Sequence, residues 1–423
     1  MRGNPNQPTA EANREVDREV DREVDREVDR EVDREADRAV KRTPLREIAA
    51  LFARLGATAF GGPAVHLSLM HQEVVRKRKW LTEESFLDLL SATNLIPGPN
   101  STEMALHLGW QRRGLSGLLT AGLCFIGPAM LITMALAWVY VRWGSIPSVA
   151  WLLYGVKPVM LAVVLQAIWS LAPKAVHSFW QRGLALLALC AMWLGVHELL
   201  VLLGIGVLSV CAAQIASSSR SLGALLAFLP LPSVAAASTV SRLTLPSLSS
   251  LFWVFLKTGS VLYGSGYVLL AFLRADLVDR LGWLTESQLI DAIAVGQITP
   301  GPVLSTATFL GYLLAGPKGA LLATVGIFAP AFVLVALSGP LIPVVRRVPV
   351  LGSFLDGVNV ASWVLMVFVT LQLGRAALCD LPALGLFALS VLLLLRFRTH
   401  TTWLLVCGAG LGWLLHQLGL SAR

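Results

Sequence analysis

Charge is scarce in this sequence. Asp, Glu, Lys and Arg make up 14% of its 423 residues, where a soluble chain carries about 25%. That argues against a water-soluble globular class. Acids are scarcer still once placement is considered. Residues 1–40 hold 13 of the 26, leaving 13 acidic and 26 basic groups over 41–423. With so few acids and no H-E-x-x-H or phosphate-loop pattern, a metal-assisted or phosphate-transferring catalytic centre has little to be built from. Cysteine is sparse too. Cys124, Cys190, Cys211, Cys379 and Cys407 are odd in number, lie in apolar runs and form no C-x-x-C pair. A disulfide framework and a structural zinc site are therefore unsupported, and these residues read as small apolar packing groups. No DNA- or RNA-binding motif is present, so no nucleic-acid partner is expected. The net charge of +13 over the body fits Lys/Arg clusters at a membrane surface better. No cofactor or resident metal is expected.

What the chain has instead is apolar length. Between Arg113 and Arg142 lie 28 residues without an acidic or basic side chain, and between Lys318 and Arg346 lie 27. Similar runs cover roughly 148–172, 183–196, 199–219, 248–273, 350–374, 381–395 and 401–420. A spanning helix needs about 20 such residues. The alternation of a barrel strand is missing, so these runs must be helices in a lipid bilayer. Residues 183–196 and 381–395 are short for a full span. Ahead of this body, Arg14 to Arg38 repeats Arg-Glu-Val-Asp with period four. Its thin valine stripe is no coiled-coil seam, and residues 1–43 are expected to form a solvated, disordered tail.

The body is duplicated. Trp80-Leu81-Thr82-Glu83 recurs 203 residues later as Trp283-Leu284-Thr285-Glu286. The same offset pairs Phe52 with Phe255, Arg54 with Lys257, Gly56 with Gly259, Asp88 with Asp291 and Pro97-Gly98-Pro99 with Pro300-Gly301-Pro302. One residue of slippage then pairs Gly109, Gly114, Gly117 and Pro128 with Gly311, Gly316, Gly319 and Pro330. The expected organisation is a first half at 44–219, a linker at 220–247 and a second half at 248–423. Each Pro-Gly-Pro breaks an apolar segment, since proline lacks an amide proton and glycine loosens the same point. Pro99 and Pro302 are suited to open new helices. The half-helices expected around the breaks are 86–96 with 100–111, and 289–299 with 303–315. Gly61, Gly62 and Pro63 interrupt 45–75 in the same way. The basic flanks Arg76–Lys79 and Arg112-Arg113 have weakly charged counterparts in the second half, so the halves are expected to run oppositely through the membrane. The fold class is thus all-α integral membrane, with about five spans and one broken, re-entrant helix pair per half. This count puts the amino terminus outside, which sits poorly with a charged tail that has no export signal.

These residues resemble the chromate ion transporter family in its long, two-domain form. The match rests on Phe60-Gly61-Gly62-Pro63 with His66, on Trp80-Leu81-Thr82 with Phe86 and Asp88, and on Asn94 to Glu103, through Gly109 and Gly114 to Gly127-Pro128. In the second half it rests on Tyr263-Gly264, Trp283-Leu284-Thr285, Asp291 and Gln297 to Pro302. It covers about residues 44–420. Ser265-Gly266 and Leu269 stand where the first half has Gly62-Pro63 and His66. The resemblance implies a cytoplasmic-membrane protein that exports chromate and confers chromate resistance. Relatives that carry other oxyanions leave the substrate open.

A tetrahedral dianion needs hydrogen-bond donors and positive potential, which half-helix amino termini supply. Candidate substrate-binding residues are Asn94, Gly98, Asn100, Ser101 and Thr102, with Gln297, Thr299, Gly301, Ser305 and Thr306. The competing reading for the hydroxyls is a bond back to their own helix. Arg54 and Lys257 are repeat-equivalent cations within apolar segments, readable as counter-charges or as partners of acidic neighbours; Lys157 ranks below them. Glu103, His66 and His107 are proton-coupling candidates; the competing readings, which come first, are a partner of the helix dipole for Glu103 and packed or pore-lining neutral imidazoles for the two histidines. The expected function is secondary transport of an oxyanion, most simply chromate efflux. The alternatives are a sulfate or other oxyanion permease and, in a different class, a membrane enzyme acting on a lipid phosphate. Expected partners are the oxyanion, the bilayer and a second copy of the chain in a homodimer.

Overall fold

The computed structural model describes residues 43–60, 63–93, 98–143, 147–217, 247–262, 268–338, 349–378, 380–397, 399 and 401–418. The expectations for the tail and the 220–247 linker, and for Gly61, Gly62, Asn94 and Pro97, lie outside the described residues. Fourteen α-helices are described, seven in each half. In the first half they are α1 (Leu45–Thr58), α2 (Pro63–His71), α3 (Glu83–Thr93), α4 (Asn100–Trp143), α5 (Pro147–Ala175), α6 (Phe179–Trp193) and α7 (Glu198–Ser217). In the second they are α8 (Leu248–Val261), α9 (Leu269–Leu273), α10 (Glu286–Ile298), α11 (Thr306–Ser338), α12 (Pro349–Ala377), α13 (Leu381–Phe397) and α14 (Thr401–Gln417). No strand occurs among the described residues. Among the described residues, four helical stretches are long and apolar enough to cross a membrane: Asn100–Trp143, Trp151–Pro173, Val303–Ser338 and Gly352–Arg375.

Local chemistry sets the helix starts. Thr82 accepts the amide of Ser85, and Thr285 accepts that of Gln288 in a capping box. The repeated Thr-Glu is therefore a helix-start signal. The halves also share a π-helical turn, Gln72–Lys77 after α2 and Arg274–Arg280 after α9. The run 248–273, read above as continuous, instead ends one helix at Val261 and begins the next at Leu269.

The repeated glycines have a common cause. In α4, Arg113 (φ −150°, ψ 23°) and Gly114 (φ 57°, ψ −140°) leave helical geometry; in α11, Ala315 (φ −148°, ψ 25°) and Gly316 (φ 63°, ψ −153°) do the same. Only glycine takes the second position without strain. Both chains fold back there. A Cβ on Gly109 would strike the carbonyl of Gly117, and one on Gly311 that of Gly319. Across the second hairpin, Thr308 and Thr324 hydroxyls lie 2.7 Å apart. Each of these long helices is thus a short arm (100–112, 306–314) packed antiparallel on a full span (115–143, 317–338). The one-residue slip between the repeats has a physical account as well. Val303–Ser305 is a 3₁₀ turn where the first half is α-helical. At about 2.0 Å per residue against about 1.5 Å, three residues there cover the length of four.

The halves interlock. Gly155 on α5 packs against Gly408 and Gly412 on α14, and Gly357 on α12 packs against Ile205 and Gly206 on α7. These contacts exchange under an offset of 202, so each half lends its last helix to the other. They also run oppositely. Arg112 lies over the Trp80 ring, 5.2 Å from its centroid, at one end of the 115–143 span. At the other end, about 40 Å away for 29 helical residues, Tyr140 bonds Asp291, just past the equivalent Trp283.

Candidate functional site

The break of one half meets that of the other inside the protein. The Gly301 amide donates to the Ala59 carbonyl at 2.9 Å, and His66 Nε2 lies 3.0 Å from the same oxygen. Ala59 is the residue that caps the end of α1, so the chain before Gly61-Gly62-Pro63 is tied to Gly301. Gly301 has φ 90° and Gly98 φ 147°, both in the region reserved for glycine. Two short helices begin next to these glycines. The amides of Thr102 and Glu103 both donate to the Pro99 carbonyl, at 2.8 and 3.0 Å, and the amide of Ser305 to that of Pro302 at 2.9 Å.

The candidate side chains fall into three groups. Thr299 and Thr306 turn their hydroxyls back onto the carbonyls of Gly296 and Val303, at 3.1 and 2.8 Å. Thr102, Glu103 and Ser305 are fully buried, and their side-chain oxygens have no hydrogen-bond partner. His107 Nε2 and His66 Nδ1 are buried and likewise unmatched. Buried polar atoms left in this state cost about 1–3 kcal/mol each. Ser101, Gln297 and Gly98 are buried beside them, while Asn100 is partly exposed. Pro63 opens α2.

Arg54 and Lys257 are each held by an acid. Arg54 lies 2.7 Å from Glu73, which also takes Lys77 at 2.7 Å and Arg78. Lys257 lies 2.7 Å from Asp276, which also takes Arg280 at 2.9 Å. The two clusters match at the repeat offset of 203. So do His71 with Glu83 and Arg274 with Glu286. Glu73 sits on the π turn next to the basic Arg76–Lys79 stretch, outside the spanning segments. Burial pushes its carboxyl up, but hydrogen bonds from Lys77, Arg78 and Arg54 outweigh this and hold it at about 2, below its ordinary 4.5. A depressed carboxyl contributes stability above its unfolded value and loses it as pH falls toward the folded one. Glu73 therefore stays ionised down to about pH 2, and its stabilisation is lost as pH falls from about 4.5 toward that value. Glu73→Gln is expected to lower stability by about 1–3 kcal/mol, toward the lower end because Arg54 and Lys77 are half exposed and screened. Thermal unfolding in detergent checks it.

A further set was not foreseen as a unit. Asp291 is buried; it accepts the Tyr140 hydroxyl at 2.9 Å and lies 3.6 Å from Lys157, which bonds Ser287 at 2.6 Å. It joins α4 and α5 of the first half to α10 of the second.

Comparison with known proteins agrees with this architecture. The sequence model of the family described as Chromate transporter matches residues 46–210 and again 249–413. The chromate transport protein of Cupriavidus metallidurans is 31% identical over 376 residues, covering 87% of this chain and 92% of that protein. A probable chromate transport protein of Synechococcus elongatus is 31% identical over 349 residues, 82% of this chain and 89% of that protein. The chromate transport protein of Pseudomonas aeruginosa is 29% identical over 386 residues, with 87% and 92% covered. No solved structure matches the chain. Matched in both of its halves, the chain belongs to the chromate transporter family and is a helical, multi-pass membrane transporter rather than an enzyme.

Proposed function

We propose that this protein exports chromate across the cytoplasmic membrane, through a site formed where the two sets of broken helices meet. The observation that carries the reading is the Gly301 amide bonded to the Ala59 carbonyl, which brings the breaks of opposite halves together. Thr102 and Ser305, whose hydroxyls are unmatched, follow the Gly98 and Gly301 breaks in the chain, with Ser101 and Asn100 next to the first and Gln297 just before the second. Half-helix amino termini add amide donors and about half a positive charge each. Arg54 and Lys257 are held in ion pairs with Glu73 and Asp276, so among the described residues neither offers an unpaired cation that would trap a dianion. Opposite orientation of the halves supports alternating access around this junction.

The membrane potential favours efflux. Moving one charge through 100 mV is worth about 2.3 kcal/mol, so a free dianion leaving a negative interior gains roughly twice that. The experiment is chromate flux in vesicles containing the purified protein, with the potential clamped. Flux is expected to rise with an interior-negative potential on the cytoplasmic side; flux indifferent to potential would overturn efflux on this basis. Competition by sulfate, a dianion of the same shape, separates a chromate transporter from a general oxyanion permease.

A further inference from the structure

We infer that Glu103 makes oxyanion transport proton-linked, with one proton accompanying each anion through the first-half break. This rests on the proposed oxyanion site and deepens it. A glutamate in the first turn of a helix ordinarily serves the free amides or the helix dipole. Glu103 does not cap. The Thr102 and Glu103 amides are bonded to the Pro99 carbonyl, and neither carboxyl oxygen has a partner although the residue is 0% exposed. The carboxyl lies against the break itself. A Cβ on Gly98 would stand 3.0 Å from Glu103 Cδ, so the glycine leaves the room this side chain occupies.

The groups around it are specified. On its own arm are His107, buried with Nε2 unmatched, and at the far end Arg112, which bonds Thr43 and lies over Trp80. Packed against the arm, α1 carries Arg46, Glu47 beside Arg78, and Arg54 on Glu73. α2 carries His66 on Ala59 and His71 on Glu83. α3 carries Glu83, Glu84 and Asp88, the 115–143 span carries Cys124, Tyr140 on Asp291 and Arg142 at its far end, and α11 carries Tyr312 and, beside its turn, Lys318. The second half lacks the set. At the offset of 202 that holds from Gly109, Glu103 corresponds to Ser305 and His107 to Phe309; at 203, His66 corresponds to Leu269. The titratable equipment belongs to one break alone.

Electrostatics then dictates the linkage. A doubly negative solute beside an ionised carboxylate is repelled strongly where water is excluded. Beside a carboxylic acid it gains an O–H donor to an anion, among the stronger hydrogen bonds. The loaded site therefore contains one proton, on Glu103 or shared with the solute. That proton is taken from water at the loading face and returned to water at the release face. No covalent bond to carbon or metal changes, no electron moves, and the net charge carried falls from two to one. Sharing is best matched when the oxyanion is itself a fair base. Hydrogen chromate is a weak acid and hydrogen sulfate a strong one, so the same carboxyl favours chromate over sulfate.

The test uses the full chain in vesicles, with chromate as solute and an entrapped pH indicator, between about pH 7.5 and about pH 8.5, where free chromate is the dianion. Wild-type flux is expected to fall about tenfold per pH unit, the slope of one linked proton, with one proton moved per chromate. Glu103→Gln is expected to lower flux, to flatten the pH slope of what remains and to lose the proton signal; Glu103→Asp restores the slope. Where the glutamine variant transports too little to read, proton uptake on chromate binding in detergent gives the same comparison: present in wild type, lost in the variant. A wild-type slope retained by Glu103→Gln, or wild-type flux with no proton movement, overturns the inference. Wild-type protein that moves no chromate at all overturns the transport reading beneath it.

Discussion

Replacing Gly301 by alanine is expected to lower chromate flux at least about a hundredfold. Two independent costs meet at this position. Its φ of 90° is a conformation that an L residue adopts only with strain. The new Cβ would also stand 2.6 Å from Ala129 Cβ and 2.9 Å from the Gly56 carbonyl oxygen. Neither neighbour is the far end of a flexible side chain. Ala129 belongs to the 115–143 span, and Gly56 is itself wedged against the backbone of Phe125. The break must therefore move, and the 2.9 Å bond from the Gly301 amide to Ala59 moves with it. A displacement of about 1 Å at a positioned site costs on the order of a hundredfold, and the strain and overlap lower stability by about 1–3 kcal/mol. Gly127→Ala is the control, because its added Cβ meets nothing within 4 Å; flux within about twofold of wild type is expected there. Chromate flux normalised to folded protein by size-exclusion chromatography decides it. Near-normal flux in Gly301→Ala would show that this break does not shape the path.

Much of this architecture was legible because duplication and proline chemistry are local signals. Pro-Gly-Pro twice at one offset announced paired breaks, and the structure has non-helical backbone at Gly98-Pro99 and at Thr299 to Pro302. The matched glycines 109, 114 and 117 were legible as a pattern but not as a cause. A two-residue reversal at Gly114 with backbone contact between Gly109 and Gly117 leaves the same sequence trace as close packing between separate helices. The acids that hold Arg54 and Lys257 were within reach, since the offset that paired the cations also pairs Glu73 with Asp276 and Lys77 with Arg280. Extending the alignment to charges, rather than to glycine, proline and aromatics, would have found them. The exchange of α7 and α14 between halves had no such trace, because small residues such as Gly155 and Gly408 do not name the helix they meet. The Tyr140–Asp291–Lys157 network was hidden for a related reason. Its members come from both halves, and Lys157 falls on Asn359 at the offset of 202, so no repeat singled it out.

Asp291→Ala is expected to be the most destabilising single change outside the breaks, by about 2–4 kcal/mol. The carboxylate is 3% exposed and lies between the Tyr140 hydroxyl at 2.9 Å and the Lys157 ammonium at 3.6 Å. Removing one member of a buried pair leaves the other charged and under-solvated, which costs about 3–5 kcal/mol in closed sites. The lower figure here reflects a Lys157 side chain that is 23% exposed and keeps Ser287 at 2.6 Å. Removing both charges is different, because apolar replacements of similar size carry no desolvation debt. The double variant Lys157→Met/Asp291→Leu is accordingly expected to unfold within about 1 kcal/mol of wild type. Thermal unfolding of Lys157→Met, of Asp291→Leu and of the double variant closes the cycle. Additive losses would show that Lys157 and Asp291 are not coupled. A large favourable interaction term would show that the two halves are latched at this face by a pair held for its position rather than its strength. Such a pair is suited to parting and re-forming as oppositely oriented halves rock around the junction of the breaks, since little net free energy is lost when it opens to water.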